Sequence, residues 1–294
     1  MTHAVADGFA SVRLTVIGSG PARPQPDTPA SGLLVETAGA AVLLDCGPGV
    51  ISRLARTHDP GRISAVVIGH LHADHYIDLA PLRYLFPWEG TEHTTMRVLL
   101  PPGGREKMVA LARAISERDT FFDEAFAIEE YDPRSAVQIA DATLSFVPGR
   151  HYVPAWGVSV RDDQGARLVY AGDTGPNDLL VAAASGADML ISEATLADVT
   201  QDEPQRGHLT AEEALDHAAR ARVATAILTH YQSDRRDELE AIAARSRVPA
   251  VLARPGLVAD VVAGAVEVRT PSGDPSPRLE PAAAFAQVPS SGYG

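Results

Sequence analysis

The run Gly69-His70-Leu71-His72-Ala73-Asp74-His75 follows directly on a short apolar stretch, residues 65–68. Three imidazoles and a carboxylate within six residues are too dense for a hydrophobic core and too ordered for an idle surface. Imidazole and carboxylate together suit zinc and similar divalent ions without any thiolate. A loop leaving the end of a buried strand can turn several side chains toward one point. His70 and His72, two residues apart, face the same side if strand geometry persists that far. Asp74 and His75 then follow the turn toward a second point nearby. A chain with this motif must supply a rigid strand end to hold it.

Two cations need more ligands than one motif provides, so isolated His and Asp residues are expected at other strand ends. His151 follows the strand-like segment 143–147 in Pro-Gly-Arg-His, Asp173 follows 168–170 in Ala-Gly-Asp-Thr-Gly, and His230 follows 226–228 in Leu-Thr-His-Tyr. Each is weak alone; as a set on β-to-loop junctions they are candidate metal ligands.

The wider pattern supports this placement. Strands are expected at 12–17, 33–36, 41–44 and 64–68, then at 143–147, 157–160, 168–170, 189–191 and 224–228, with two more near Val251 and Val266. Helices are expected at 50–58, 103–118, 177–184, 210–221 and 237–245, and Thr210 with Glu213 forms a Ser/Thr-x-x-Glu capping box. Strand-rich pairs followed by αβ units, twice over, predict an α/β (α+β) chain with two sheets packed face to face and helices outside. Residues 1–270 read as one domain. Residues 271–294, with five prolines and four serines, read as a tail. Residues 117–132 hold seven acids and one Arg around Phe121, Phe122 and Phe126. They read as a solvated loop pinned by aromatics, with a lid or oligomer contact as the alternative.

Composition narrows the partners. Hydrophobic residues at 45% and charged residues at 21% suit a soluble globular chain with a sizeable core. The longest apolar runs are strand-sized, far short of the roughly 20 residues of a membrane helix. The first ten residues lack a basic segment followed by an apolar one, so no secretory signal is expected. A lone cysteine, Cys46, cannot form an internal disulfide and reads as a small buried residue, which fits a cytoplasmic protein. The net charge of -13, with Lys107 the only lysine, makes nucleic acid an unfavoured partner.

The motif residues resemble those of the metallo-β-lactamase-fold hydrolases, in particular the ribonuclease Z-like branch. His70-x-His72-x-Asp74-His75, His151, Asp173 and His230 match that family's ligand series in order and approximate spacing. The early Gly18-Ser19-Gly20, Pro29-Ala30-Ser31-Gly32 and Leu44-Asp45-Cys46-Gly47-Pro48-Gly49 segments match as well, so the resemblance covers about residues 12–256. It implies an αββα sandwich of two mixed sheets flanked by helices, with a dinuclear centre at one edge. One divalent ion would take His70, His72 and His151, the other Asp74, His75 and His230, and Asp173 would bridge them. Zinc is the default, with manganese or iron as alternatives. Ile191-Ser192-Glu193-Ala194-Thr195 and Gly207-His208-Leu209-Thr210 look like the branch's Glu-Ala-Thr and Gly-His-Ser-Thr segments, with Leu209 where Ser is usual. The resemblance makes Glu193 and His208 a cooperating pair, His208 near the scissile phosphate.

The expected reaction is hydrolysis of a phosphodiester by a metal-bridging hydroxide, with Asp74 accepting a proton and His208, held by Glu193, assisting the leaving oxygen. The ribonuclease Z branch carries a long basic arm for tRNA between the first motif and the next His ligand. Residues 76–150 hold 12 acids and 8 bases, with no such arm. A small anionic substrate such as a cyclic nucleotide is therefore expected, and the motifs are similar to those of actinobacterial cyclic-nucleotide phosphodiesterase-like proteins. The alternatives are tRNA 3′-end processing, hydrolysis of an ester, thioester or lactone, and an inactive binding module. A homodimer stays open. Asp45 is expected to orient a ligand by a hydrogen bond. Tyr76, Trp88, Tyr152, Trp156 and Tyr231 are candidates for pocket or core, and His3, His58, His93 and His217 for the surface.

Overall fold

Along most strands, alternate side chains face two different cores, which is why the strand runs are so uniformly apolar. The computed structural model describes residues 11–85, 96–202, 204–262 and 264–271. The first half of the chain gives β1 (Val12–Gly18), β2 (Gly32–Glu36), β3 (Ala41–Leu44), α1 (Val50–Leu54), β4 (Ala65–Val67), α2 (Ala73–Tyr76), α3 (Leu79–Arg83), β5 (Met96–Leu100), α4 (Gly104–Ser116) and β6 (Phe126–Glu130). The second half gives β7 (Val137–Ile139), β8 (Ala142–Pro148), β9 (Trp156–Arg161), β10 (Arg167–Tyr170), α5 (Asp178–Ala184), β11 (Met189–Glu193), α6 (Ala211–Ala221), β12 (Thr225–Thr229), α7 (Arg236–Ala243), β13 (Ala250–Leu252), β14 (Val258–Val262) and β15 (Ala265–Arg269).

The strands form two mixed sheets, ordered β15-β14-β1-β2-β3-β4-β5-β6 and β13-β12-β11-β10-β9-β8-β7. Leu33, Val35, Val42, Leu44 and Val67 of the first sheet meet Leu144, Val158, Leu168, Met189 and Ile227 of the second in one inter-sheet core. The intervening residues face outward. Leu34, Leu43 and Val66 pack under α1, α3 and α4, and Val169, Leu190 and Leu228 pack under α5 and α6. Helices outside and two sheets inside give the expected αββα sandwich.

Strand direction decides where the functional loops emerge. β3, β4, β5 and β6 run parallel, as do β10, β11, β12 and β13. β8 and β10 are both antiparallel to β9, so they share a direction. The carboxyl ends of β8, β10, β11 and β12 therefore lie along one edge, where ligands gather in parallel sheets.

Four features depart from the sequence expectations. Residues 126–130 are not loop but the edge strand β6. Residues 117–125 are the exposed turn expected, pinned by Phe121 and Phe122, which are buried with Phe126 in the outer core and so build no lid. The acids of β6 hide the strand because an edge strand tolerates charge. The helix expected at 50–58 is regular only to Leu54. His217 is not on the surface: it is buried on the inner face of α6, where its Nε2 accepts the Asn177 backbone N–H at 3.3 Å. β5, β7 and β14 were not anticipated at all. The tail expected from residue 271 lies outside the described residues beyond Pro271, as do His3, Trp88 and His93. No helix among the described residues is long and apolar enough to cross a membrane.

The capping box of α6 forms as expected. Thr210 Oγ1 accepts the Glu213 N–H at 3.3 Å, and Glu213 Oε2 accepts the Thr210 N–H at 3.0 Å. Thr210→Ala should lower the unfolding free energy by about 1 kcal/mol, and Thr210→Ser by less. Urea unfolding checks this, and an unchanged midpoint for Thr210→Ala would show that the cap contributes nothing.

Candidate metal centre

His70 and His72 follow the end of β4, and His72, in extended backbone, stands at the N-cap position of α2, the single turn that carries Asp74 and His75. His151 lies in the β8–β9 loop, Asp173 just beyond β10 and His230 just beyond β12. The edge brings all seven together. His72 Nδ1 lies 3.2 Å from His70 Nε2 and 3.0 Å from His151 Nε2, so three ring nitrogens face one point. Asp74 Oδ2 lies 3.3 Å from His75 Nε2 and 3.2 Å from His230 Nε2, facing a second. Asp173 Oδ2 stands between the two groups, 3.8 Å from His70 Nε2 and 4.0 Å from His151 Nε2 on one side. On the other it is 3.5 Å from both His75 Nε2 and His230 Nε2.

The outward nitrogens are held by the protein. His75 Nδ1 meets Asp45 Oδ2 at 2.7 Å, and His151 Nδ1 meets the Gly207 carbonyl at 2.8 Å. His230 Nδ1 meets Thr195 Oγ1 at 2.8 Å, while that hydroxyl donates to Glu193 Oε2 at 2.5 Å. Each acceptor takes the ring proton on the outward side and leaves an Nε2 lone pair facing in, as metal-bound histidines require. Asp45 itself is fixed by the Gly69 N–H at 2.9 Å and the Tyr170 hydroxyl at 2.8 Å. Asp45 and His230 adopt left-handed backbone, with φ of 60° and 54°. Such strain in non-glycine residues gathers at functional sites. Gly47 lets the motif approach, because a Cβ there would lie 1.9 Å from the Asp74 carbonyl oxygen.

The charge pattern separates the rings. Burial, with repulsion between neighbouring imidazoles, holds His70 well below the ordinary histidine value, and burial lowers His72 and His151 too. Burial opposes charge on His75 and His230 as well and is the largest single effect, but Asp173 together with Asp45 at His75 and with Asp74 at His230 overcomes it and raises both. Burial would raise the carboxyls, yet the hydrogen bond from His230 and the charge of His75 hold Asp74 far below the usual range, and the charges of His230 and His75 hold Asp173 there. The carboxylates thus draw positive charge to this point. His75 Nε2 and Asp173 Oδ1 are buried with no hydrogen-bond partner. Buried polar atoms are normally satisfied, and nitrogen and oxygen atoms left over on these residues are of the kind a divalent cation would use. The residues fit a metal centre.

Beside it, His208 Nδ1 lies 2.9 and 3.0 Å from the two Glu193 oxygens, and Glu193 is fully buried at the end of β11. A ring nitrogen of His208 comes within 4.8 Å of donor atoms of His151 and Asp173. Burial alone would lower His208, but the charge and hydrogen bond of Glu193 push it up to about 9. Leu209, the departure from the usual Ser, is buried under α6, and its N–H donates to Glu193 at 3.3 Å. Three supports were assigned no role from sequence: Thr195 between His230 and Glu193, Tyr170 on Asp45, and Asp202, whose Oδ2 accepts the Gly207 and His208 N–H groups at 2.6 and 2.9 Å. Only Thr195, two residues from Glu193, carried a positional signal. Cys46 is buried and Tyr231 is core, its hydroxyl donating to the Ala253 carbonyl at 2.7 Å. Tyr76, Trp156 and His58 are half-buried.

Comparison with known proteins agrees with this geometry. Residues 40–231 match the family model described as a beta-lactamase superfamily domain. An uncharacterized protein of Mycobacterium leprae is 34% identical over 227 residues, covering 75% of this chain and 78% of that protein. A protein named ribonuclease Z from Mycobacterium bovis is 30% identical over 242 residues, covering 75% and 86%. Among solved structures, the metallo-beta-lactamase fold protein YhfI from Bacillus subtilis superimposes with a TM-score of 0.74 at 25% identity, covering 84% of this chain and 98% of that one. The chain belongs to the beta-lactamase superfamily, as a metallo-β-lactamase-fold hydrolase related to ribonuclease Z.

Proposed function

We propose that this protein is a dinuclear-metal-dependent phosphodiesterase acting on a small anionic diester of the cyclic-nucleotide type. His70, His72 and His151 would hold one cation, Asp74, His75 and His230 the other, with Asp173 between them and zinc the default. The observation that carries the reading is the position of Asp173 Oδ2, within 4.0 Å of imidazole nitrogens from both groups. When bound, two divalent cations supply the positive charge that acidifies water and draws in a phosphoryl oxygen. The remaining work falls to the chain. Asp74, kept ionised, accepts a proton from the attacking water. His208 faces the same space with Nδ1 anchored by Glu193, so its Nε2 holds the proton passed to the leaving oxygen. Glu193 stabilises the charged ring and fixes its tautomer.

Kinship with a ribonuclease favours phosphodiester over acyl chemistry. The net charge of -13 and the acid excess of residues 76–150 favour a small substrate over RNA. A cytoplasmic site of action suits the single buried cysteine. The second reading, a tRNA-processing nuclease, draws on the 30% identity to ribonuclease Z.

Two experiments test the proposal. His208→Ala should lower kcat by about 10²–10⁴-fold with metal content unchanged; loss of metal would make His208 a ligand and remove its assigned role. A panel of cyclic nucleotides, bis(p-nitrophenyl) phosphate, a thioester and a lactone, run beside a salt titration of tRNA binding, sets the substrate class. Highest kcat/KM on the diesters, with weak RNA binding, is expected. Preference for the acyl substrates overturns the phosphodiester reading. Tight RNA binding that weakens steeply with salt, with a slope of about −0.7 per phosphate contacted by a single strand, selects the nuclease instead.

A further inference from the structure

Tyr152 sits where the substrate's organic part would lie. It directly follows His151, its ring centroid 4.8 Å from that ring, and it meets His208 edge-on at 5.6 Å. Tyr152 is 42% exposed, whereas Tyr131, Tyr170 and Tyr231 are buried. Those three hydroxyls are tied to the Ile68 carbonyl, Asp45 and the Ala253 carbonyl. The Tyr152 hydroxyl bonds to none of the described residues.

The inner side of the ring is held. A Cβ at Gly207 would lie 2.5–2.8 Å from Tyr152 Cζ, Cε1 and Cε2, so the ring rests against glycine backbone with no room for a side chain between. That backbone is itself fixed, its N–H donating to Asp202 Oδ2 at 2.6 Å and its carbonyl accepting from His151 Nδ1 at 2.8 Å. A held aromatic ring with solvent on its far side, between a candidate metal ligand and the candidate acid, is a stacking platform.

We propose that Tyr152 is a specificity residue that takes a planar aromatic group of the substrate, a nucleobase, on its exposed face. This rests on the phosphodiester reading: with the phosphoryl group at the ligand cluster and the leaving oxygen at His208, the group attached to that oxygen passes over Tyr152. Stacking selects for an aromatic ring and is tolerant of base identity, because every base has a π-face.

Calorimetric binding of adenosine 5′-monophosphate and ribose 5-phosphate, which differ only in the base, tests the proposal on the zinc-loaded protein without turnover. The wild type should bind the nucleotide about tenfold more tightly. Tyr152→Phe should keep that preference and Tyr152→Ala should abolish it, with ribose 5-phosphate affinity and metal content unchanged in both. Equal affinity for the two ligands in the wild type, or a preference that survives Tyr152→Ala, overturns the platform while leaving the phosphodiester reading intact. Failure of the wild type to bind either ligand sinks that reading and the platform with it.

Discussion

Asp74 and Asp173 are buried at the sheet edge, and their close neighbours are imidazole nitrogens. Removing a carboxylate from water costs several kcal/mol unless positive charge and hydrogen bonds replace the lost hydration. Neutral histidines do not supply that charge. The arrangement is therefore satisfied either by protons on His75 and His230 or by cations among the ring nitrogens. Much of the surrounding structure makes sense as support for the second state. Asp45, the Gly207 carbonyl and Thr195 each take a proton on the outer side of a ring and leave the inner nitrogen free.

The scaffold meets this demand through strand direction. β8, β10, β11 and β12 share a direction, so His151, Asp173, Glu193 and His230 emerge along one edge although they are far apart in sequence. The first sheet contributes its motif at the end of β4 and its Asp45 support at the end of β3, whose N–H binds the Val67 carbonyl at 2.9 Å. The two sheets thus bring opposite halves of one site together, and the packed inter-sheet core fixes their separation. The left-handed backbone of Asp45 and His230 is local strain held in place by that packing.

The layered fold and the candidate site were legible in the sequence to different depths and for different reasons. The His70–His75 motif was plain because four donor residues are crowded into one loop. Asp173 and His230 followed because buried strands next to parallel neighbours read as apolar runs with abrupt ends, and His151 because it stands just past a strand that alternates polar and apolar residues. β6 was hidden because its exposed carboxyl end carries Glu129 and Glu130. His217 was misplaced because one polar residue on the apolar face of α6 cannot be told from a surface histidine without knowing that Asn177 lies opposite. Tyr170 escaped because its role exists only through a contact 125 residues away, at Asp45, and Asp202 because nothing in an acidic loop shows that the chain turns back to place Gly207 and His208 on it. The family resemblance, not residue spacing, pointed to the Glu193–His208 pair, and the fold brings the two into hydrogen-bond contact.

The central claim is that these buried donors hold divalent cations, and quantifying bound metal per chain tests it most directly. Protein purified without chelator, or reloaded with zinc after chelation, should retain about two equivalents through gel filtration and become more resistant to unfolding as it takes them up. Protein that retains no transition metal and whose stability does not respond to added zinc would contradict the account, whatever its fold.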